Sequence, residues 1–432
     1  LKNQLALAYE GDASQMSKKL DTTKNIDEIF RQAQKAFNAW SKLPADERTT
    51  DELLRTLDFD FFELLDSVTI ARSRKHIEKY YNTSDIGKFP ERLPISLRPC
   101  LTDLNDAINY NDIYNLLMSL SLMIYTPSNY IMPSKLAKYI DMTHHKGNSL
   151  TQQGREEGIR RLMSINLLKR LESSVASFRL TIDRIKKLIE DTIETIKSYQ
   201  SGGCVLNLTE ISGAEDFDYD DQNTDFFSVG KKVKIDLADM DYVSWMRELE
   251  KDAENLELLS LMIADITPEH DTKLQTLFGL IRKKIEHPIN PGNKKIIIFT
   301  AFSDTADYLF ANVSRFAKEN FGLETAEITG TVDGKTTIPK LRADLNTVLT
   351  CFSPVSKGKS VLLPGSTDEL DILIATDCIS EGQNLQDCDY LINYDIHWNP
   401  VRIIQRFGRI DRIGSRNDHI QLVNFWPDMD LD

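Results

Sequence analysis

The clearest hydrophobic pattern runs from Ile159 to Gln200, where Leu162, Ile165, Leu168, Leu171, Val175, Phe178, Ile182, Ile185, Ile189, Ile193 and Ile196 recur at helical spacing. No glycine or proline interrupts it. An unbroken helix of about 40 residues would span about 60 Å, and such a length predicts a coiled-coil arm or a break without a local signal. Upstream, Ile26, Ile29, Phe30, Ala33, Phe37 and Trp40 form a second helical stripe that Pro44 follows. Asp60–Leu65 is a short amphipathic piece and Val68–Ala71 a β-branched run that reads as a strand. Lys88–Pro94 reads as an extended linker, because each proline disfavours helix in its predecessor. Helices are predicted over Asp112–Met123, Asp241–Ile263 and Pro268–Glu286, the last two suited to pair with the long one.

From Pro288 the pattern changes to α/β. Lys295–Phe299 is a short apolar run, followed by a helix with Ala306, Leu309, Val313, Phe316 and Ala317 on one face and Gly322 at its end. Further strands are predicted at Ile372–Ala375, Tyr390–Tyr394 and His419–Phe425, which implies a parallel sheet with right-handed crossovers. Asn399 suits an N-cap and Pro400 the first helical position, so a helix is predicted from there toward Gly414. On it Gln405, Arg409 and Arg412 share one side, and Ile403, Phe407 and Ile410 the other.

Composition narrows the class. The 432 residues carry ordinary hydrophobic content, 41%, enough for two or three packed domains. No membrane span or signal peptide is visible, and the five cysteines form no CxxC pair, so a reducing, cytoplasmic setting is the expectation. The net charge of −14 excludes a globally basic coat and confines any nucleic-acid contact to a local groove. Adjacent His144 and His145 have no partner at metal-ligand spacing, and the six carboxylates of Glu215–Asp225 lack calcium-loop spacing, so no metal site is predicted. Gly330–Thr336 imitates a phosphate loop, yet three residues separate its glycines where four are needed. Asp27-Glu28, Asp51-Glu52 and Asp368-Glu369 lack the preceding buried strand of a magnesium-binding acidic box.

The run Gln405–Arg412 resembles the QxxGRxxR motif VI of superfamily-two helicases. Ala375-Thr376-Asp377 with Ser380–Leu385 resembles motif V, and Lys295–Ser303 resembles motif IV. Asn393-Tyr394-Asp395 with Trp398-Asn399-Pro400 is similar to the segment before motif VI in Swi/Snf-type and RapA-like ATPases. Arg72-Ser73-Arg74-Lys75 resembles the basic segment closing their first lobe, and Leu167–Ser174 a signature of the RapA-like group, although helix packing explains its leucines.

This resemblance implies a RecA-like parallel sheet flanked by helices, with a large all-α insertion and an N-terminal helical segment. Residues 1–85 would be the tail of a first RecA-like lobe, 86–287 a linker and helical insertion, and 288–432 the second lobe. The chain, opening on Leu1, reads as an excerpt of a longer protein whose first lobe carries the phosphate loop and the main magnesium ligands. The implied activity is ATP-dependent translocation on nucleic acid, double-stranded DNA before RNA. Arg409 and Arg412 would neutralise charge at the γ-phosphate. Gln405, Asp377, Gly382, Glu381 and Gly408 would meet the nucleotide. Ser303, Thr329, Gly330, Thr376 and Ser380 would meet the nucleic-acid backbone. Asn399 and Trp398 would couple the two, core packing being the other reading of Trp398. Arg406 and Arg416 are expected to be solvated or near phosphate rather than catalytic. A non-catalytic scaffold whose insertion docks a partner is the alternative from another class, and an RNA-polymerase-linked remodeller the alternative within this one.

Overall fold

The computed structural model describes residues 26–44, 47–57, 61, 64, 87–104, 108–140, 152–201, 207–208, 235–330, 334–379, 382–397 and 399–428. The expected strand Val68–Ala71, the basic Arg72–Lys75, His144, His145 and the acidic Glu215–Asp225 lie outside them. The chain divides into two compact units, Leu1–Asp85 and Ile86–Asp432. In the first, α1 (Ile26–Trp40) and α2 (Thr50–Thr56) pack together, with the Trp40 indole N–H donating to the Thr49 carbonyl at 2.9 Å.

The second unit is built on one sheet. Its strands are β1 (Glu91–Leu97), β2 (Ile296–Phe299), β3 (Thr325–Ile328), β4 (Lys335–Thr336), β5 (Ile372–Ala375), β6 (Tyr390–Asn393) and β7 (His419–Phe425), in spatial order β1-β7-β6-β2-β5-β3-β4. All neighbours are parallel except β3 and β4. Strand β2 shows why the sheet needs helices on both faces. Ile296 and Ile298 enter a core with α7 (Thr272–Glu286) and α8 (Ser303–Phe321), while Ile297 and Phe299 enter another with α9 (Leu345–Phe352). Gly322 closes α8 at φ +68, as the left-handed cap requires.

Two sequence expectations are corrected here. The expected linker Lys88–Pro94 supplies the edge strand β1, with Pro94 paired to Leu422. An edge position tolerates a proline because one side of the strand has no ladder to satisfy. Helix α7, expected beside the long helix, instead packs Leu274, Leu277 and Ile281 into the sheet's own core. Buried Lys284 on α7 pairs with buried Asp389 at 2.6 Å, and Asn290 holds the other carboxylate oxygen at 2.7 Å. Of Gly330–Thr336, Lys335 and Thr336 form β4 of the β3–β4 hairpin, while residues 331–333 lie outside the described residues.

The helical body has its own core, formed by α3 (Tyr110–Met118), α4 (Gln152–Ser173), α5 (Val175–Gln200) and α6 (Tyr242–Ile263). The expected 40-residue helix is therefore two helices. Ser174 leaves helical geometry at φ −158, ψ 149, and its Oγ accepts from the Ser177 N–H at 3.1 Å, an N-cap inside an apolar stripe. The same hydroxyl lies 2.9 Å from Thr305 Oγ1 on α8. Ser174→Ala is expected to cost about 1 kcal/mol of stability. Urea denaturation measures it, and an unchanged midpoint would mean that the cap is idle.

Candidate functional site

The carboxyl ends of β2, β3, β5 and β6 converge, and the motif residues follow directly from them. Thr300 follows β2, Thr329 follows β3, Thr376 and Asp377 follow β5, and Tyr394 and Asp395 follow β6. In open parallel sheets this edge is where ligands bind, because the crossover loops part there.

Asp395 organises the upper end. Its Oδ2 accepts from Thr300 Oγ1 at 2.5 Å and from Ser173 Oγ at 2.6 Å, and its Oδ1 accepts from the Ala301 N–H at 2.8 Å. One carboxylate thus shapes the motif IV turn and receives a hydroxyl from the end of α4. Arg170, one turn earlier, reaches Asp304 at 2.6 Å and covers the Phe302 ring. Lys273 on α7 donates to the carbonyls of Glu172 and Ser173, at 2.5 and 2.9 Å, where a cation complements the helix terminus. Burial pushes this lysine down to about 8. Leu167 and Leu171 pack in the helical core as expected, while Arg170, Ser173 and Ser174 tie the same segment to the lobe. Sequence reasoning missed that role, since a helical-period reading weighs only the apolar positions.

Helix α10 (Pro400–Phe407) begins as anticipated, with Asn399 Oδ1 accepting from the Val401 N–H at 3.0 Å. The Asn399 N–H in turn donates to His397 Nδ1 at 2.9 Å, which requires that nitrogen to be unprotonated. Burial holds His397 below its ordinary value, against the pull of Asp377. The helix ends at Phe407, short of the expected Gly414, because Gly408 caps it and residues 408–410 turn. Of the expected apolar face, Ile410 is buried in the sheet's core and Phe407 packs against it, while Arg406 is buried beside them and Val401 and Ile404 are exposed.

Arg406 corrects the expectation of a solvated residue. It is 2% exposed and grips Asp377 with two bonds of 2.7 Å, and it reaches Asn393 Oδ1 at 3.2 Å and the Asp395 carbonyl at 3.3 Å. Asp377, expected at the nucleotide, therefore has both carboxylate oxygens on Arg406. Arg416 is exposed, as expected.

The motif V loop and the turn after α10 form one unit. The Arg409 carbonyl accepts from the Leu385 N–H at 3.0 Å, and its largely buried guanidinium reaches the Ile379 carbonyl at 3.4 Å. Half-buried Arg412 donates to the carbonyls of Gly382 and Gln383, at 3.2 and 3.1 Å, and to Gly408 at 3.1 Å. Gly382 has φ +89, a conformation suited to glycine, and a Cβ there would meet no atom within 4 Å. Among the described residues, its backbone thus faces open space beside Arg412. Gln405 and Gly408 are half-buried on the same turn. Ser380, Glu381 and Trp398 lie outside the described residues.

Of the expected nucleic-acid contacts, Ser303 starts α8, and Thr329 lies at the end of β3, 9% exposed. A Cβ on Gly330 would meet Cys378 at 3.1 Å, so this glycine lets the β3 and β5 loops approach. Thr376 is 2% exposed and its buried Oγ1 has no hydrogen-bond partner, so the hydroxyl is not presented to solvent in this conformation. Among the described residues, no group of three histidine, cysteine or carboxylate side chains is placed to hold a metal ion, and no helix is long and apolar enough to cross a membrane.

A parallel sheet with these motifs at its carboxyl edge resembles a RecA-like lobe. Residues 273–414 match the helicase conserved C-terminal domain family. A stretch of 50 residues is 52% identical to the uncharacterized ATP-dependent helicase YqhH of Bacillus subtilis, covering 12% of this chain and 9% of that protein. A stretch of 145 residues is 29% identical to the ATP-dependent RNA helicase DBP7 of Yarrowia lipolytica, covering 33% and 17%. A stretch of 56 residues is 39% identical to the RNA polymerase-associated protein RapA of Serratia proteamaculans, covering 13% and 6%. The matched stretches thus span less than a fifth of each relative's length. The segment 273–414 is thus similar to the C-terminal domain of ATP-dependent helicases.

Proposed function

We propose that this chain is the C-terminal part of an ATP-dependent DNA translocase or helicase of the Swi/Snf-like, RapA-like kind. It supplies motifs IV to VI, with Arg412 as arginine finger and Arg409 beside it, to an ATP site completed by a first RecA-like lobe. The observation that carries this reading is the junction of motifs V and VI, where Arg412 is held only by backbone carbonyls beside the open Gly382 backbone. Such an arginine can turn to an incoming phosphate at the cost of bonds to neutral acceptors. In-line phosphoryl transfer needs positioning and charge neutralisation more than covalent chemistry, and a bidentate guanidinium suits phosphate oxygens. Gln405, Gly382, Glu381 and Gly408 line the nucleotide side. Asp377 acts through Arg406, as a positioning residue for the strand end. The magnesium that accompanies ATP takes its main ligands from the first lobe. Ser303, Thr329, Gly330 and Ser380 contact the nucleic-acid backbone, Thr376 joining them only if its loop opens, and Trp398 and Asn399 couple the two sites.

The test is ATP turnover by the full-length protein with duplex DNA, duplex RNA or neither. Stimulation by duplex DNA above RNA is expected. Stimulation by RNA alone would favour an RNA-directed remodeller, the reading closer to the names of DBP7 and RapA. No turnover with either would favour a binding scaffold.

A further inference from the structure

We propose that Lys357 is a third phosphate-binding cation of this site, joining Arg409 and Arg412 on the polyphosphate of the nucleotide. The inference rests on the nucleotide-site reading above and adds a residue from outside motifs IV to VI.

Lys357 lies in the loop after α9, and that loop is pinned to motif V. Asp387 accepts from the Val355 N–H at 2.6 Å, from the Ser356 N–H at 3.0 Å and from the Ser356 hydroxyl. Gly358 turns the chain at φ +65 directly afterwards. So fixed, the loop directs Lys357 Nζ to Gln383 Oε1, while Arg412 holds the main-chain carbonyl of the same Gln383 at 3.1 Å. Arg409 reaches the same motif V segment at Ile379. Three cations thus converge on Ile379, Gly382 and Gln383, and neither Lys357 nor Arg412 forms an ion pair with any described carboxylate.

Assembling like charges costs free energy, and an anion bound among them recovers it. Burial, and then the charges of Arg412 and Arg409, hold Lys357 below the usual lysine range. A structural lysine would gain by moving its flexible stem toward water, yet the Asp387 contacts keep its backbone at the site. Gln383 is a neutral acceptor that a phosphate oxygen can displace, since charge-assisted bonds are about twice as strong. The nucleotide is the favoured source of phosphate because Lys357 shares Gln383 with the motif VI arginine. Of the candidate nucleic-acid residues, Ser303, Thr329 and Gly330 follow β2 and β3, on other loops, while Thr376 and Ser380 follow β5 in sequence, so the DNA-affinity arm of the test separates the two sources.

The experiment uses the full-length protein, with Lys357→Gln, Lys357→Arg and Arg412→Ala compared for ATP KM, kcat and affinity for a duplex DNA of fixed length. Lys357→Gln is expected to raise the ATP KM about tenfold or more, with DNA affinity within about twofold and Lys357→Arg restoring part of the loss. An ATP KM within about twofold of the parent, in a Lys357→Gln protein of unchanged melting temperature, overturns the proposal. So does a loss confined to DNA affinity, which would move the lysine to the nucleic acid. If Arg412→Ala is silent as well, the nucleotide-site reading fails with it; if only Lys357→Gln is silent, this proposal fails alone.

Discussion

Arg412→Ala in the full-length protein is expected to lower nucleic-acid-stimulated ATP turnover by about 10³-fold or more, with little change in melting temperature. The two halves of that result have separate causes. Turnover falls because the side chain neutralises charge that develops in the transition state, where a preorganised guanidinium is worth most. Stability holds because Arg412 is half-buried and its partners here are the carbonyls of Gly382, Gln383 and Gly408, which water can satisfy once the side chain is gone. Arg412→Lys should recover little, since an ammonium lacks the planar fork. Arg409→Ala is a poorer probe, because that side chain is 6% exposed and holds the Ile379 carbonyl, so its loss mixes chemistry with structure. Steady-state turnover with saturating duplex DNA decides the matter, and an Arg412→Ala protein within tenfold of the parent would remove the arginine-finger assignment.

Arg406→Ala is expected to cost about 3–5 kcal/mol of stability, the range for breaking a buried ion pair from one side. The carboxylate of Asp377 would stay behind at 9% side-chain exposure, without either of its 2.7 Å bonds. The Asn393 amide oxygen and the Asp395 carbonyl would lose their donor too. Removing both charges, as Arg406→Ala with Asp377→Ala, should cost less than the two single losses added, because no charge is then stranded. Urea denaturation of this chain gives all three values. Additive losses would show that the pair is not the structural unit inferred here.

The contrast between Arg406 and Arg412 shows how far the sequence carries. Period and capping chemistry located β2, α8 with its Gly322 cap, and the Asn399–Pro400 start of α10, because those elements obey local rules. The order of motifs singled out Arg409 and Arg412, but the sequence puts them on the helix, whereas the structure ends that helix at Phe407 and sets both beyond it against the motif V loop. Arg406 was read as solvated because nothing local distinguishes a buried arginine from an exposed one; its partner Asp377 is 29 residues away in sequence. Strand β1 was hidden for a similar reason. Two prolines suppress a strand reading unless the strand is known to lie at an edge, and that is settled by pairing with β7 at the far end of the chain. The break at Ser174 carries no glycine or proline, and it is held by Thr305, Lys273 and Asp395 from three other segments. Lys357 belongs to no motif. It reaches the site because Asp387 fastens its loop to motif V, a tertiary fact with no periodic signature.

In the proposed function these residues form one wall of an ATP cleft whose other wall, with the phosphate loop, belongs to a first lobe. Isolated residues 1–432 and the full-length protein, assayed side by side for ATP hydrolysis with saturating duplex DNA, test it most directly. DNA-stimulated turnover is expected in the full-length protein and none above background in the isolated chain. Steady turnover by the isolated chain would contradict it.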